Sequence, residues 1–214
     1  MTLFIIWRIL YACGSKNCRV QETSLAVSHA DSNLTSTILF HIHMSDSPEI
    51  IMYKKAVMER IQREDGQLFN NNSKEHAYAV MEQFLKQTKE SVHIFCHQLS
   101  KEVYERLHQE FERLLEQEIQ IRVVIETRTA EAQELASLLS AHHALRVWHT
   151  NEKEIPHFSI FDGKMFRYET CQKQRSAIIC AHAHGKNAEL ANDIESTFQT
   201  LWQSGIPYST ESQQ

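Results

Sequence analysis

Two short apolar runs constrain this chain more than any other feature. They are Ser91-Val-His-Ile-Phe-Cys96 and Ile119-Gln-Ile-Arg-Val-Val-Ile-Glu126. Between them Val103, Leu107, Phe111 and Leu114 recur at helical spacing behind Ser100, a residue suited to cap a helix. The second run has an unbroken apolar centre, the pattern of a strand covered on both faces. A strand, a helix and a strand joined by a connection of this length form a parallel unit with a right-handed crossover.

The rest of the chain extends that unit. A short helix is expected within residues 45–65, with Ile51, Val57, Met58 and Ile61 partly on one side. Asp65-Gly66 and Asn70-Asn71-Asn72 read as loop. Ser73 is placed to cap a helix carrying Ala77, Val80, Met81, Phe84 and Leu85 to about Lys89. A further helix is expected near Ala130–Ser140 and a third strand at Leu145–His149. Phe158-Ser-Ile-Phe, then Asp162-Gly163-Lys164, then Met165–Glu169 has the form of a hairpin, since Asp-Gly between apolar runs is a strong turn signal. Another strand follows at Ser176–Ala181. A last helix bears Leu190, Ala191, Ile194, Phe198, Leu201 and Trp202, with Asn187 as its expected cap and Gly205-Ile-Pro207 as its stop. The fold class is therefore α/β, a mixed sheet flanked by helices on both faces. Ligands in such sheets bind beyond the carboxyl ends of parallel strands, here near Cys96-His97-Gln98, Glu126-Thr127-Arg128 and His149-Thr150-Asn151.

Four segments are expected: a poorly ordered extension over 1–43, a helix and loop over 44–72, the α/β domain over 73–206 and a polar tail over 207–214. The opening MTLFIIWRILYAC is too short for the roughly 20 residues that span a bilayer, so no membrane span is expected. Its Arg8 lies inside the apolar run, not before it as in a signal peptide. Met44 begins MSDSPEIIMYKK, which has the look of a natural start.

Composition narrows the function classes. A formal net charge of −5 opposes non-specific wrapping of nucleic acid. Five cysteines with no CxxC pair point to reduced thiols and a cytoplasmic location. There is no Gly-rich phosphate loop, no G-x-S-x-G and no H-E-x-x-H, so no cofactor is expected. Thirteen histidines raise the question of metal. Cys180, His182 and His184 crowd one short strand end without an evident fourth donor, so no metal is expected either. His93 sits inside an apolar strand and is expected in the core. Lys101, Arg106 and Arg113 alternate with Glu102, Glu105, Glu110 and Glu112 as a solvated helix face. Arg122, Arg146, Arg167 and Arg175 differ in lying in or beside strands, and Arg167 with Arg175 could hold a phosphate or carboxylate if they converge near His157.

The element order and the segment IPHFSIFDGKMFRYE resemble the phospholipase D-like superfamily over roughly residues 74–204. The family signature is H-x-K-x-x-x-x-D, six residues, then G-S-x-N. Anchored on Asp162, its His position falls on Ile155 and its Lys position on His157. Its Gly, Ser and Asn positions fall on Glu169, Thr170 and Gln172. Asp162 is kept, Thr170 keeps a hydroxyl and Gln172 keeps an amide, but the nucleophile is gone. On a strand His157 would share a face with Ile155, about 7 Å away.

The resemblance implies a binding or regulatory domain without catalysis. Its ligand would be anionic, a nucleic acid or another phosphate-containing molecule, or else a protein partner. His157, Thr170, Gln172, Arg167 and Arg175 would line the site. Active members set two motifs face to face, and this chain has room for one, so a homodimer is implied. Two alternatives stand beside this reading. One is a divergent phosphodiesterase or nuclease with His157, Asp162 and Thr170 as catalytic candidates. The other is an unrelated α/β interaction protein.

Overall fold

A computed structural model describes residues 46–71, 73–139, 144–148, 155–171 and 176–208, all within the compact unit Ser45–Gln214. The expected extension over 1–43, residues 209–214, Gln172 and Arg175 lie outside the described residues.

The chain opens with helix α1 (Pro48–Gln62) and strand β1 (Leu68–Asn71). Helix α2 (Lys74–Gln87), β2 (Ser91–Cys96), α3 (Lys101–Glu116) and β3 (Gln120–Ile125) follow. Next come α4 (Ala130–Leu139), β4 (Ala144–Val147), β5 (Phe158–Phe161) and β6 (Met165–Cys171). Strand β7 (Ser176–Cys180), α5 (Lys186–Ser204) and β8 (Ile206–Pro207) complete the order. The serines expected as caps act as such: Ser73 accepts from the His76 amide at 3.0 Å and Ser100 from the Val103 amide at 3.4 Å.

The described strands form one eight-stranded sheet in the order β1-β7-β6-β5-β2-β3-β4-β8. Strands β2, β3 and β4 are parallel, as the crossover argument requires. Strands β5, β6, β7 and β1 continue from β2 as an antiparallel meander. One face is covered by α1 to α4, through residues such as Val57, Phe84, Phe111 and Leu135 packed on Ile121, Val123 and Ile125. The other face packs Phe95, Val124, Phe158, Ile160 and Phe166 beneath Ala191, Ile194, Phe198 and Leu201 of α5. His93 belongs to that second layer. Its ring lies parallel to Phe198 at 4.5 Å and its Nδ1 is 3.0 Å from a Glu195 carboxylate oxygen, so a buried imidazole is satisfied on one edge.

Two expectations are corrected. Asn70 and Asn71 belong to strand β1, paired with β7, and not to a loop. Asn71 is fully buried, and its amide makes that tolerable by donating to the Ser73 carbonyl at 3.2 Å and accepting from Arg167. Asn187 does not cap α5, whose first turn follows Gly185 at a φ of 55° with no side-chain cap. Its amide donates to the Gly66 carbonyl at 2.6 Å and ties the α1–β1 loop to the first turn of α5.

The hairpin turn is tied down by Asp162. Its backbone sits at a φ of 50°, which Asp tolerates better than most residues. Its carboxylate accepts the amides of Lys89 at 3.0 Å, Glu90 at 2.8 Å and Ser91 at 3.0 Å. One side chain thus joins the hairpin to the start of β2 and sets the register that carries His157 to the opposite end of β5.

Candidate functional site

A cleft of about 450 Å³ opens at the carboxyl end of β2, between α2, α3 and the β5–β6 ladder. Its lining is apolar at Met81, Ile94, Leu107 and Phe111 and polar at Lys74, His97, Ser100, His157, Arg167 and Glu169. The topology explains the polar part. Cys96 pairs with Ile125 in the parallel ladder, so His97 and Glu126 leave adjacent strand ends side by side. Their side chains form a short Nδ1–carboxylate contact, and the His97 carbonyl accepts from the amides of Glu126 and Thr127.

His157 enters from the segment just before β5. Its Nε2 accepts the backbone N–H of His97 at 3.2 Å, and its Nδ1 lies 3.1 Å from Glu169 Oε2. A ring nitrogen that accepts carries no proton, so the proton resides on Nδ1 and is donated to the carboxylate. His157 is thereby fixed as one neutral tautomer. Burial, then the charges of His97 and Arg167, push its pKa down from 6.5 to about 4. The His97 ring lies 4.5 Å from the His157 ring.

Glu169 and Arg167 are alternate residues of β6 and project to the same face. Arg167 NH2 lies 3.3 Å from Glu169 Oε1, and its Nε donates to Asn71 Oδ1 at 3.3 Å. Both side chains are nearly buried, at 12% and 9% exposure. Burial works against the guanidinium charge while Glu169 supports it. Behind the pair, the buried Tyr53 hydroxyl of α1 makes no hydrogen bond among the described residues, and burial pushes its pKa up to about 12. Elsewhere in the lining, Lys74 is paired with Glu102.

Of the residues expected at the site, the structure brings His157 and Arg167 together, through Glu169. It does not bring Asp162 or Thr170 there. Asp162 is at the far end of β5, and the exposed Thr170 hydroxyl bonds to Ser176, 3.3 Å from its carbonyl and 3.2 Å from its hydroxyl. The expectation that Ile155 and His157 share a face is corrected. The His157 carbonyl still accepts the Glu169 amide of β6 at 2.9 Å, so His157 keeps the alternation of β5, but Pro156 and Ile155 precede that pairing and strand alternation does not govern Ile155. Ile155 packs against the α5-side core while His157 lines the cleft. Sequence reasoning missed His97, Glu126, Glu169 and Asn71 as members of the constellation. His97 and Glu126 do stand at the strand ends that the ligand rule marks, and Glu169 stands where the family pattern has glycine.

The hydrogen bonds of His157 bear directly on what that ring can do chemically. Nucleophilic attack by His157 requires a ring lone pair, and the one it has faces the His97 N–H. Among the described residues no group of three or more His, Cys, Asp or Glu side chains is placed to hold a metal ion. Cys180, His182 and His184 form no such group, although the Cys180 thiol lies 3.7 Å from the Gly66 carbonyl, the His184 ring lies beside Gly66, and the His182 and His184 rings are 6.3 Å apart. Among the described residues no helix is long and apolar enough to cross a membrane.

No family model and no curated protein matches the chain. Solved structures do. The chain is similar to Nuc, a phospholipase D family member from Salmonella typhimurium, at 13% identity and a TM-score of 0.51, over 67% of this chain and 97% of that one. It is similar to TrmBL2, an archaeal chromatin protein with a novel mode of DNA binding, at 10% identity and a TM-score of 0.52, over 75% of this chain and 64% of that one. It is also similar to a polyphosphate kinase from Porphyromonas gingivalis, at 9% identity and a TM-score of 0.50, over 72% of this chain and 28% of that one. The chain thus spans almost all of Nuc but under two thirds of the other two. At such identities the likeness is one of fold, and the chain has the phospholipase D-like fold.

Proposed function

We propose that this chain is a non-catalytic phospholipase D-like binding domain that works as a homodimer and engages a protein partner. The observation that carries the first part is His157 held between two partners, its lone pair on the His97 amide and its proton on Glu169. With isoleucine at the position where the family pattern places its nucleophile, no imidazole in the motif is available to form a phosphoenzyme.

The charges favour a protein over an anion as the occupant of this cleft. Arg167 is paired with Glu169 and Lys74 with Glu102, while Glu126 adds a further carboxylate. A phosphate would meet no surplus of positive charge. The dimer is supported by the uneven layering. Eight strands at about 4.8 Å spacing span roughly 34 Å, and a single helix is about 10 Å wide. Among the described residues α5 alone covers its face, and Trp148, Ile155, Tyr168, Ile178 and Trp202 stand only partly buried around it. A second copy on that face would cover them, in a dimer that leaves the two clefts on its outer sides and not face to face as in the family's active members.

The test has two arms. Hydrolysis of bis-p-nitrophenyl phosphate and of DNA is expected at the blank rate. Turnover that is abolished by His157→Ala would overturn the non-catalytic reading in favour of a divergent phosphodiesterase. Sedimentation equilibrium is expected to give a dimer that Ile178→Glu dissociates, and a monomer at the highest concentrations would remove the assembly claim. A nucleic-acid reading draws support from the likeness to TrmBL2 over 75% of this chain. A salt-sensitive shift of duplex DNA in a gel assay would favour it over the protein partner.

A further inference from the structure

We propose that Glu169 is a built-in ligand: its carboxylate fills an oxyanion cradle made by Arg167 and His157, and a chain without it takes a phosphate-class oxyanion in the same place. This deepens the cleft reading above and rests on the cleft being a binding site, whether or not any chemistry occurs there.

The cradle is oriented from outside. Arg167 Nε is held by Asn71 Oδ1 at 3.3 Å, and Asn71 is fully buried and itself anchored to the Ser73 carbonyl. His157 Nε2 is held by the His97 N–H at 3.2 Å. Neither restraint involves Glu169. Both leave one donor aimed at the same point, NH2 of Arg167 and Nδ1–H of His157. Glu169 meets them with its two oxygens, one each, at 3.3 Å and 3.1 Å. Replacing Glu169 by glycine therefore leaves two preset donors, a nearly buried guanidinium without its counter-charge, and a vacated volume in the wall of an open cleft. A tetrahedral oxyanion supplies what is then lacking: negative charge and acceptors for both donors. With Glu169 in place the same donors are satisfied and the wild-type cleft is blind to phosphate. In that sense Glu169 determines what the cleft will accept.

Glu169→Gly is compared with the wild type by thermal melting in inorganic phosphate against chloride at equal ionic strength. The wild type is expected to respond alike to the two salts. The glycine variant is expected to melt lower in chloride and to recover in phosphate with saturation. At a tenfold excess over Kd the recovery is about 3–6 °C for a domain of this size. Glu169→Gly combined with Arg167→Met is expected to lose the phosphate response, because the cation of the cradle is gone. A merely structural ion pair gives a different result, since its loss is not repaired by added phosphate. If the glycine variant is unfolded in chloride, the titration is run as refolding followed by far-UV circular dichroism. Recovery in phosphate supports the cradle. An equal response of variant and wild type, no recovery in phosphate, or a response that survives in the double variant overturns it. Hydrolysis by the wild type would sink the non-catalytic reading and leave this result standing.

Discussion

Replacing His157 by glutamine tests the tautomer argument directly, because glutamine can offer an acceptor and a donor in similar places but does not titrate. The folded pKa of His157 is depressed from 6.5 to about 4. In the unfolded chain the imidazole takes up its proton first as pH falls. The stability drawn from a neutral His157 is therefore complete above pH 6.5, declines between 6.5 and about 4, and is absent below. At about 1.36 kcal/mol per pH unit the full span amounts to about 3.4 kcal/mol. The side chain keeps 30% exposure. Solvent screening reduces the expected effect to roughly 2 kcal/mol. The structural reason is visible at both nitrogens: a second proton on Nε2 would face the His97 N–H, and Glu169 next to Nδ1 is already balanced by Arg167. Urea unfolding of wild type and His157→Gln from pH 7.5 to 4 provides the measurement. Taking the difference cancels the other histidines and carboxylates. Wild type is expected to lose about 2 kcal/mol relative to the variant across that range. A difference that stays flat, or that moves in favour of the wild type as pH falls, would refute the neutral, doubly bonded His157.

Other changes probe the scaffold. Asp162→Ala removes the acceptor of three backbone amides at a positive φ and is expected to lower stability by about 2 kcal/mol in urea, with Asp162→Asn losing about half as much. Gly66→Ala places its Cβ 2.2 Å from His184 Nε2, so it should cost about 1 kcal/mol alone and almost nothing in a His184→Ala background, as a double-mutant cycle would show. Phe198→Ala empties the layer between α5 and the sheet and strips the stacking partner of His93, for an expected loss of about 3–5 kcal/mol by the same unfolding assay.

The fold was legible wherever burial imposes a period. The runs 91–96 and 119–126 had to be interior strands, and the spacing of Val103, Leu107, Phe111 and Leu114 had to be a helix between them. The Asp162-Gly163 hairpin could be read because positive φ restricts the choice of residue. Strand β1 could not. Its sequence, Leu-Phe-Asn-Asn, carries the chemistry of a turn, and only the tertiary partners Ser73 and Arg167 make a buried Asn71 acceptable. Asn187 is not the cap because the helix begins before it, with Gly185 at the cap position and Lys186 as the first helical residue. At the cleft, His97 and Glu126 were marked by the strand-end rule but looked like neighbours of a core strand. The face of Ile155 does not follow from alternation because the pairing with β6 ends at His157, two residues later.

Positions 157 and 169 have to be understood together, and that is why motif comparison alone misreads this cleft. A histidine at 157 read by itself looks like a displaced nucleophile. A glutamate at 169 read by itself looks like a lost glycine. In space each satisfies the other, Nδ1–H to carboxylate at 3.1 Å, and the glutamate also neutralises Arg167 two residues earlier on the same strand. Glycine at 169 beside this histidine would leave the nearly buried Arg167 without its counter-charge and the half-buried His157 Nδ1–H without its acceptor, a cost on the order of 1–3 kcal/mol for each unmet group. Lysine at 157 beside this arginine would place two cations on one carboxylate. The neutral histidine avoids both, and it does so by occupying the lone pair that catalysis would need. On the reading proposed above, local charge balance and the occupied lone pair of His157 are one property of this site, reached through the same pair of side chains.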